Sequence, residues 1–211
     1  MNNKIKKLIK KKNISKIVCL TAYSKNIAEI IDNHVDIVLV GDSLGSVLYS
    51  YNTTRKVNLK MMIEHTKSVR MGTKKSLLII DLPYNTYRNK TEALKNSKKA
   101  IKETKCDAVK IEGGIKVKEI VRHLVRNKIP VLGHIGVTPQ TTKGKFKSKG
   151  KTELEKEQLV KDAVALEQNG AFAIVLECVY SDTAKKITNQ IKIPTIGIGA
   201  SVYCDGQVLV T

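Results

Sequence analysis

The sequence predicts an α/β protein built as a (β/α)8 barrel. Three observations predict it: eight short apolar runs recur along the chain, amphipathic segments separate most of them, and charged or polar residues stand at the ends of successive runs. Nearly continuous apolar runs are the pattern of parallel strands covered on both faces, and alternation with helices is the pattern of right-handed βαβ units. Eight such strands are the number that closes this barrel. With 211 residues, 42% of them hydrophobic, the chain can bury one substantial core, so a single barrel domain over residues 1–211 is expected.

The strand runs are residues 17–23, 36–42, 77–83, 108–113, 130–136, 173–178, 194–200 and 206–210, each rich in β-branched or aliphatic residues. Helices between them start at polar caps, with Thr91 before 92–105, Thr152 before 153–169 and Ser181 before 182–190. Gly170 supplies a C-terminal stop. Residues 141–151 are polar and rich in Lys and Gly, and are expected to form a mobile loop on the active face. The eighth run reaches Thr211 with no helical segment behind it, so the barrel is expected to lack its last helix and to be short at the C-terminal end. Either the sequence is a fragment, or a partner subunit covers the seam between strands eight and one, or the protein is impaired.

The apolar runs, such as 77–80 and 171–176, are far shorter than the roughly 20 residues that span a bilayer. The first twelve residues are basic and lead into a strand-like run, without the apolar stretch and small-residue cleavage site of a secretory signal. A cytoplasmic location is expected. Cys19, Cys106, Cys178 and Cys204 form no Cys-x-x-Cys pair, which argues against a zinc site or disulfide framework and for reduced, mostly buried thiols.

The net charge of +19 taken alone points to a polyanion partner. Residue type argues the other way. Only five of the 38 basic residues are Arg, whereas base readout and bidentate phosphate contact favour Arg. Lys is spread through every segment together with Asn and Ile, so a solvated Lys surface is expected, with no specific nucleic-acid site.

In this barrel class function collects at the C-terminal ends of the strands. Asp42 ends the second run, Asp81 lies near the end of the third, and Lys110 with Glu112 closes the fourth. His134 and Glu177 stand at the same level on the fifth and sixth. Each has an ordinary structural explanation when taken singly: a turn cap, a surface cation, a core histidine bonded to backbone. Six polar groups at one end of five successive strands, each within an apolar run, have a joint explanation as a site. Carboxylates converging on a barrel mouth repel unless a hard cation neutralises them, which implies a metal such as Mg²⁺.

Longer motifs carry a resemblance. Leu-Thr-Ala-Tyr at 20–23, Val-Gly-Asp-Ser-Leu-Gly at 40–45, Lys-Ile-Glu-Gly-Gly at 110–114 and Gly-His-Ile-Gly-Val-Thr-Pro-Gln at 133–140 resemble the ketopantoate hydroxymethyltransferase family. Residues 171–178, 196–200 and 204–210 are similar to later motifs of that family in the same order. The resemblance implies a barrel of the phosphoenolpyruvate/pyruvate-binding type. It further implies transfer of a hydroxymethyl group from 5,10-methylenetetrahydrofolate to 3-methyl-2-oxobutanoate through a Mg²⁺-stabilised enolate, giving 2-dehydropantoate for pantothenate biosynthesis. Carried over motif by motif, Asp42 and Asp81 ligate Mg²⁺ with Glu112 completing the protein ligands, Ser43 and Lys110 hold the keto acid, His134 lies close by, and Glu177 accepts the proton. A homo-oligomer is implied, a decamer in the family.

The chain departs from the family pattern in three places. Residues 200–203 read Ala-Ser-Val-Tyr, and Lys145, Ser148 and Lys149 stand where the family tends to have Gly, Val and Gln. The stretch that follows the eighth strand in the family is missing. Two other readings compete: a carbon-carbon or phosphorus-carbon lyase of the related barrels, whose loop bearing an acidic Cys is not found here, and a truncated, inactive scaffold or basic binding protein.

Overall fold

A computed structural model describes residues 2–142 and 144–211. Its eight strands are β1 (Ile17–Thr21), β2 (Ile37–Val40), β3 (Leu77–Asp81), β4 (Ala108–Glu112), β5 (Val131–Gly136), β6 (Ala173–Glu177), β7 (Thr195–Ile198) and β8 (Gly206–Leu209). All pair in parallel and in chain order, and β8 returns to β1, so the sheet is a closed barrel. Each predicted apolar run contains one strand. The helices are α1 (Asn3–Lys10), α2 (Lys25–Ile31), α3 (Leu44–Tyr49), α4 (Leu59–Gly72), α5 (Lys90–Thr104), α6 (Lys118–Arg126), α7 (Glu153–Gln168) and α8 (Ser181–Gln190).

The period-2 alternation of the strands divides the core into two layers. Outward residues such as Val38, Leu78, Ile80, Val109, Val131 and Ile174 pack with Val69, Leu124 and Leu166 of the surrounding helices. Inward residues, among them Ile17, Cys19, Ile37, Leu77, Ile79, Ala108, Leu132, Ala173 and Val208, fill the lumen. The same inward parity places Asp81, Lys110, Glu112, His134 and Glu177 above that apolar plug. Two glycines permit close approaches. A Cβ at Gly206 would overlap the Ile17 carbonyl where β8 meets β1, and Gly136 adopts φ +97 against the Glu177 carbonyl at the end of β5.

Helix starts differ from the sequence reading in three places. Residues 3–10 form α1, which was not expected. Asn2 accepts from the Lys4 amide at its start, and Ile5 and Leu8, three apart, bury into the bottom of the lumen. Six lysines among the first twelve residues hide this short apolar stripe, to which the partly buried Ile9 adds. The cap of α5 is Asn89, not Thr91: its side chain takes the Glu92 amide at 2.9 Å, while Glu92 reaches back to the Arg88 amide. Ser181 is the first residue of α8, and its hydroxyl bonds Ser201 across the loop instead of capping its own helix. Thr152 caps α7 as expected, accepting from Glu155.

The loop over 141–151 divides in two. Residues 144–148 are exposed and irregular, whereas Lys149 forms a parallel bridge with Val179 just past β6. Lys143 lies outside the described residues. Among the described residues no helix lies between β7 and β8 or follows β8, and Val18 and Leu209 are exposed on the outside of that seam. All four cysteines are free, and three of them are buried.

Candidate active site

Strand register builds the mouth of the barrel. Asp81 pairs with Lys110 across β3 and β4, and Glu112 pairs with His134 across β4 and β5. The Lys110 Nζ donates to Asp81 Oδ1 at 2.7 Å, with both side chains buried. The other Asp81 oxygen accepts the Asp42 amide at 3.1 Å, which secures the turn after β2. Gly136 pairs with Glu177, which ends β6 and keeps 18% of its side chain exposed toward the opening. These groups line one cavity of about 670 Å³ together with Thr21, Ser43, Arg55 and Phe146. The structure thus brings together all seven sequence-predicted site residues: Asp42, Ser43, Asp81, Lys110, Glu112, His134 and Glu177.

Four residues missed by the sequence reading complete the arrangement. Gln140 is buried and acts as a hub. Its amide NH₂ donates to Asp42 Oδ2 at 2.8 Å and to the Leu82 carbonyl at 3.0 Å, and its backbone N–H donates to Glu112 Oε2 at 3.1 Å. Tyr87 donates its hydroxyl to the Gln140 side-chain oxygen at 2.5 Å, which sets the direction of the amide. Arg55 Nε donates to the Gln140 carbonyl at 2.8 Å. Tyr23 shares a 2.8 Å hydrogen bond with Ser43. Gln140 and Tyr23 stood inside the motifs, but nothing in their spacing pointed to these contacts. Arg55 lies in the irregular stretch between α3 and α4, where periodicity carries no signal.

Among the described residues, the lining of the mouth holds four carboxylates against one lysine. Burial, then the neighbouring Asp81 charge, pushes Asp42 up to about 7 against the pull of Lys110 and Gln140. Burial also raises Glu112, to about 8, with Lys110 working against it and Asp42 and Asp81 adding to it. For Lys110, burial acts to remove the proton, but Asp81, Glu112 and Asp42 outweigh it and hold the ammonium above its usual range. His134 is pushed down by burial and then by Lys110, so its ring is neutral near pH 7. That ring lies between two acids, with Nε2 at 3.3 Å from Glu177 and Nδ1 at 3.7 Å from Glu112. Among the described residues neither nitrogen has an aligned hydrogen-bond partner in this buried position.

This donor set fits a hard cation in chemistry. Asp42, Asp81 and Glu112 supply oxygen only, they are buried, and their charge exceeds what Lys110 offsets. As they lie, no three His, Cys, Asp or Glu side chains among the described residues are gathered tightly enough to hold one ion. Lys110 and Gln140 occupy the carboxylate oxygens instead.

Fold and mouth together define the class: a (β/α)8-barrel enzyme with a charged, ligand-sized cavity at the C-terminal ends of its strands. The same fold occurs in phosphoenolpyruvate phosphomutase from Streptomyces platensis subsp. rosaceus, with a TM-score of 0.72 at 10% identity over 98% of this chain and 79% of that one. It occurs too in a 2,3-dimethylmalate lyase of the phosphoenolpyruvate mutase/isocitrate lyase superfamily, with a TM-score of 0.67 at 15% identity over 93% and 72% of the two chains.

Sequence narrows the class further. The ketopantoate hydroxymethyltransferase profile matches residues 2–211, and the chain belongs to that family. It is 64% identical over all 211 residues to a 3-methyl-2-oxobutanoate hydroxymethyltransferase of Pelagibacter ubique (strain HTCC1062), covering 82% of that protein. A relative of the same name from Anaplasma marginale (strain St. Maries) is 45% identical over 202 residues, which are 95% of this chain and 73% of that protein.

Proposed function

We propose that the chain transfers a hydroxymethyl group from 5,10-methylenetetrahydrofolate to 3-methyl-2-oxobutanoate, giving 2-dehydropantoate for pantothenate biosynthesis. The observation that carries this reading is the 64% identity, over the whole chain, to a relative of that named activity. The mouth supports the roles. Glu177 accepts the C3 proton of the keto acid, being the least confined of the four carboxylates and open to the cavity. The C–H electron pair becomes the C2–C3 double bond, and the negative charge moves to the C2 oxygen. Lys110, charged and buried, lies where that charge can be held. Water opens the methylene bridge of the folate, supplying the hydroxyl oxygen, and C3 attacks that one-carbon unit as its bonds to the folate nitrogens break and the nitrogens take up protons, so that tetrahydrofolate leaves. Ser43, oriented by Tyr23, and Lys110 hold the substrate. His134, neutral and flanked by Glu112 and Glu177, orients the base.

Asp42, Asp81 and Glu112 are the residues that would hold Mg²⁺. When bound, Mg²⁺ supplies positive charge beside the developing oxyanion and a template for the keto acid. The lyase reading is disfavoured by family membership, since the lyase-like structures are related only by fold. Cytoplasmic location and homo-oligomeric assembly are part of the same proposal.

The test is to incubate the protein with Mg²⁺, 3-methyl-2-oxobutanoate and 5,10-methylenetetrahydrofolate and to measure 2-dehydropantoate by mass spectrometry, beside exchange of the C3 proton into deuterated water. Product is expected. Exchange without product would sink the transfer half of the reading, and absence of both would favour an inactive scaffold.

A further inference from the structure

The cavity is lined by a cation besides Lys110, Arg55, that the chemistry at its floor leaves unused. Arg55 sits in the short 3₁₀ turn Thr54–Lys56 and lines the same cavity as Asp42 and Glu177. Two contacts set its plane. Its Nε is spent on the Gln140 carbonyl at 2.8 Å, and its guanidinium carbon lies 5.0 Å from the centre of the Tyr84 ring. Among the described residues no carboxylate stands within ion-pair distance of it, whereas Arg88, Arg70 and Lys110 each have one. A half-buried, braced guanidinium facing an open cavity is built to receive a carboxylate through its remaining N–H groups.

The charge along the cavity has a direction. The floor is acidic, with Asp42, Asp81, Glu112 and Glu177 around Lys110. At the opening Gly144 and Phe146 line the cavity, and the residues beside them, Lys145 and Lys147, are exposed. The volume of about 670 Å³ is that of a drug-sized ligand and far exceeds a five-carbon keto acid. Room is therefore left above the floor for a second, larger molecule whose anionic end points outward.

We propose that Arg55 anchors the carboxylates of the glutamyl tail of the tetrahydrofolate co-substrate, with Lys145 and Lys147 receiving further glutamates of a longer tail. This rests on the reading that a tetrahydrofolate delivers the one-carbon unit. The pterin end must reach the floor to deliver that carbon, so the glutamyl end, at the opposite extremity of the molecule, points to the opening. The carboxylate of the keto acid is not the match, because it adjoins the reacting carbonyl and has to stay beside Lys110. Arg55 is set back from that floor by Gln140, whose side chain holds Asp42 while its carbonyl holds Arg55.

The test compares binding of tetrahydrofolate carrying one or three glutamates, by isothermal titration, to the unmutated protein, Arg55→Gln, Arg55→Lys and the exposed double variant Lys145→Gln/Lys147→Gln. The unmutated protein should bind the triglutamate about tenfold more tightly than the monoglutamate, the scale of one or two charged hydrogen bonds. Arg55→Gln should weaken both, Arg55→Lys should restore part of the loss, and the double variant should remove the tail-length preference with the fold untouched. In the unmutated protein the preference should shrink between about 0.05 and about 0.5 M salt as exposed charges are screened. Equal affinity for the two tails together with unchanged binding in Arg55→Gln overturns the proposal. So does a loss in Arg55→Gln confined to 3-methyl-2-oxobutanoate, which would assign the guanidinium to the keto acid. If neither tetrahydrofolate binds while C3 proton exchange still runs, the folate reading falls and takes this subsite with it.

Discussion

The two ends of this barrel are built from the same strands and obey opposite chemistry. Along β4 the inward residues run Ala108, Lys110, Glu112, so two steps of the chain lead from an apolar plug to a buried ion pair. At the bottom, Ile5 and Leu8 of α1 close the lumen over Ile17, Ile37, Leu77 and Phe172, all buried and free of charge. At the top, Asp42, Asp81, Glu112 and Glu177 share a cavity with Lys110 and with His134, which has no aligned partner among the described residues. Removing apolar area from water stabilises the bottom. The top burdens the fold, because ions removed from water regain little unless each is paired. The lower half thus supplies stability that the upper half spends on holding reactive groups in place.

The sharpest way to break this contrast is at Glu177. Glu177→Gln keeps the shape at the top, so keto-acid binding should survive, but exchange of the C3 proton into deuterated water should fall by about 10² or more, the usual span for a general base. Exchange at the unmutated rate would move the base elsewhere, with His134 the next candidate.

At the opposite end, Leu8→Ala should cost about 2–5 kcal/mol by chemical denaturation, the range for truncating a buried leucine. The folded fraction should retain its exchange rate, because Leu8 packs in the apolar layer and no residue of α1 lines the cavity at the top. A loss of exchange in fully folded Leu8→Ala would show that the two ends are coupled.

Mg²⁺ with 3-methyl-2-oxobutanoate should stabilise the top alone. At about 100 times the dissociation constant, ligands that bind only the folded form add about 2.7 kcal/mol, which a thermal melt detects. No shift at saturation would discredit Asp42, Asp81 and Glu112 as the cation site.

The smallest expected effect concerns the hub. Gln140→Leu leaves Asp42 without its amide donor and the Tyr87 hydroxyl without its acceptor, and should cost about 1–3 kcal/mol. The cation-linked gain in melting temperature should also shrink, because the carboxylates lose the group that orients them. A variant as stable as the parent, with the full gain, would show that Gln140 orients nothing.

Most strands were legible because β2 to β7 are buried on both faces, and such strands write themselves as apolar runs, whereas β1 and β8 expose Val18 and Leu209 at the seam. The charged floor was legible for the related reason that Asp81, Lys110, Glu112, His134 and Glu177 interrupt those runs near their ends, where burial without function is costly. α1 was not legible, because Ile5, Leu8 and Ile9 are three apolar residues in a lysine-rich segment and their value depends on a lumen that exists only once the barrel closes. Asn89 was passed over for Thr91 because both are good caps two residues apart, and only the reciprocal Glu92 contact separates them.

By itself the sequence determined the number and order of the strands, the end of the barrel that carries charge, and the family, since each depends on residue type and spacing along one chain. The tertiary structure decided which carboxylate is paired, which is raised, and which faces the opening. It decided as well that Gln140, 98 residues from Asp42 in sequence, ties Asp42 to Glu112, and that Arg55 bonds the Gln140 carbonyl with no carboxylate among the described residues in ion-pair distance. The physical reason is that ionisation and hydrogen bonding depend on distance, alignment and burial, which arise only when loops from different βα units meet over a closed barrel.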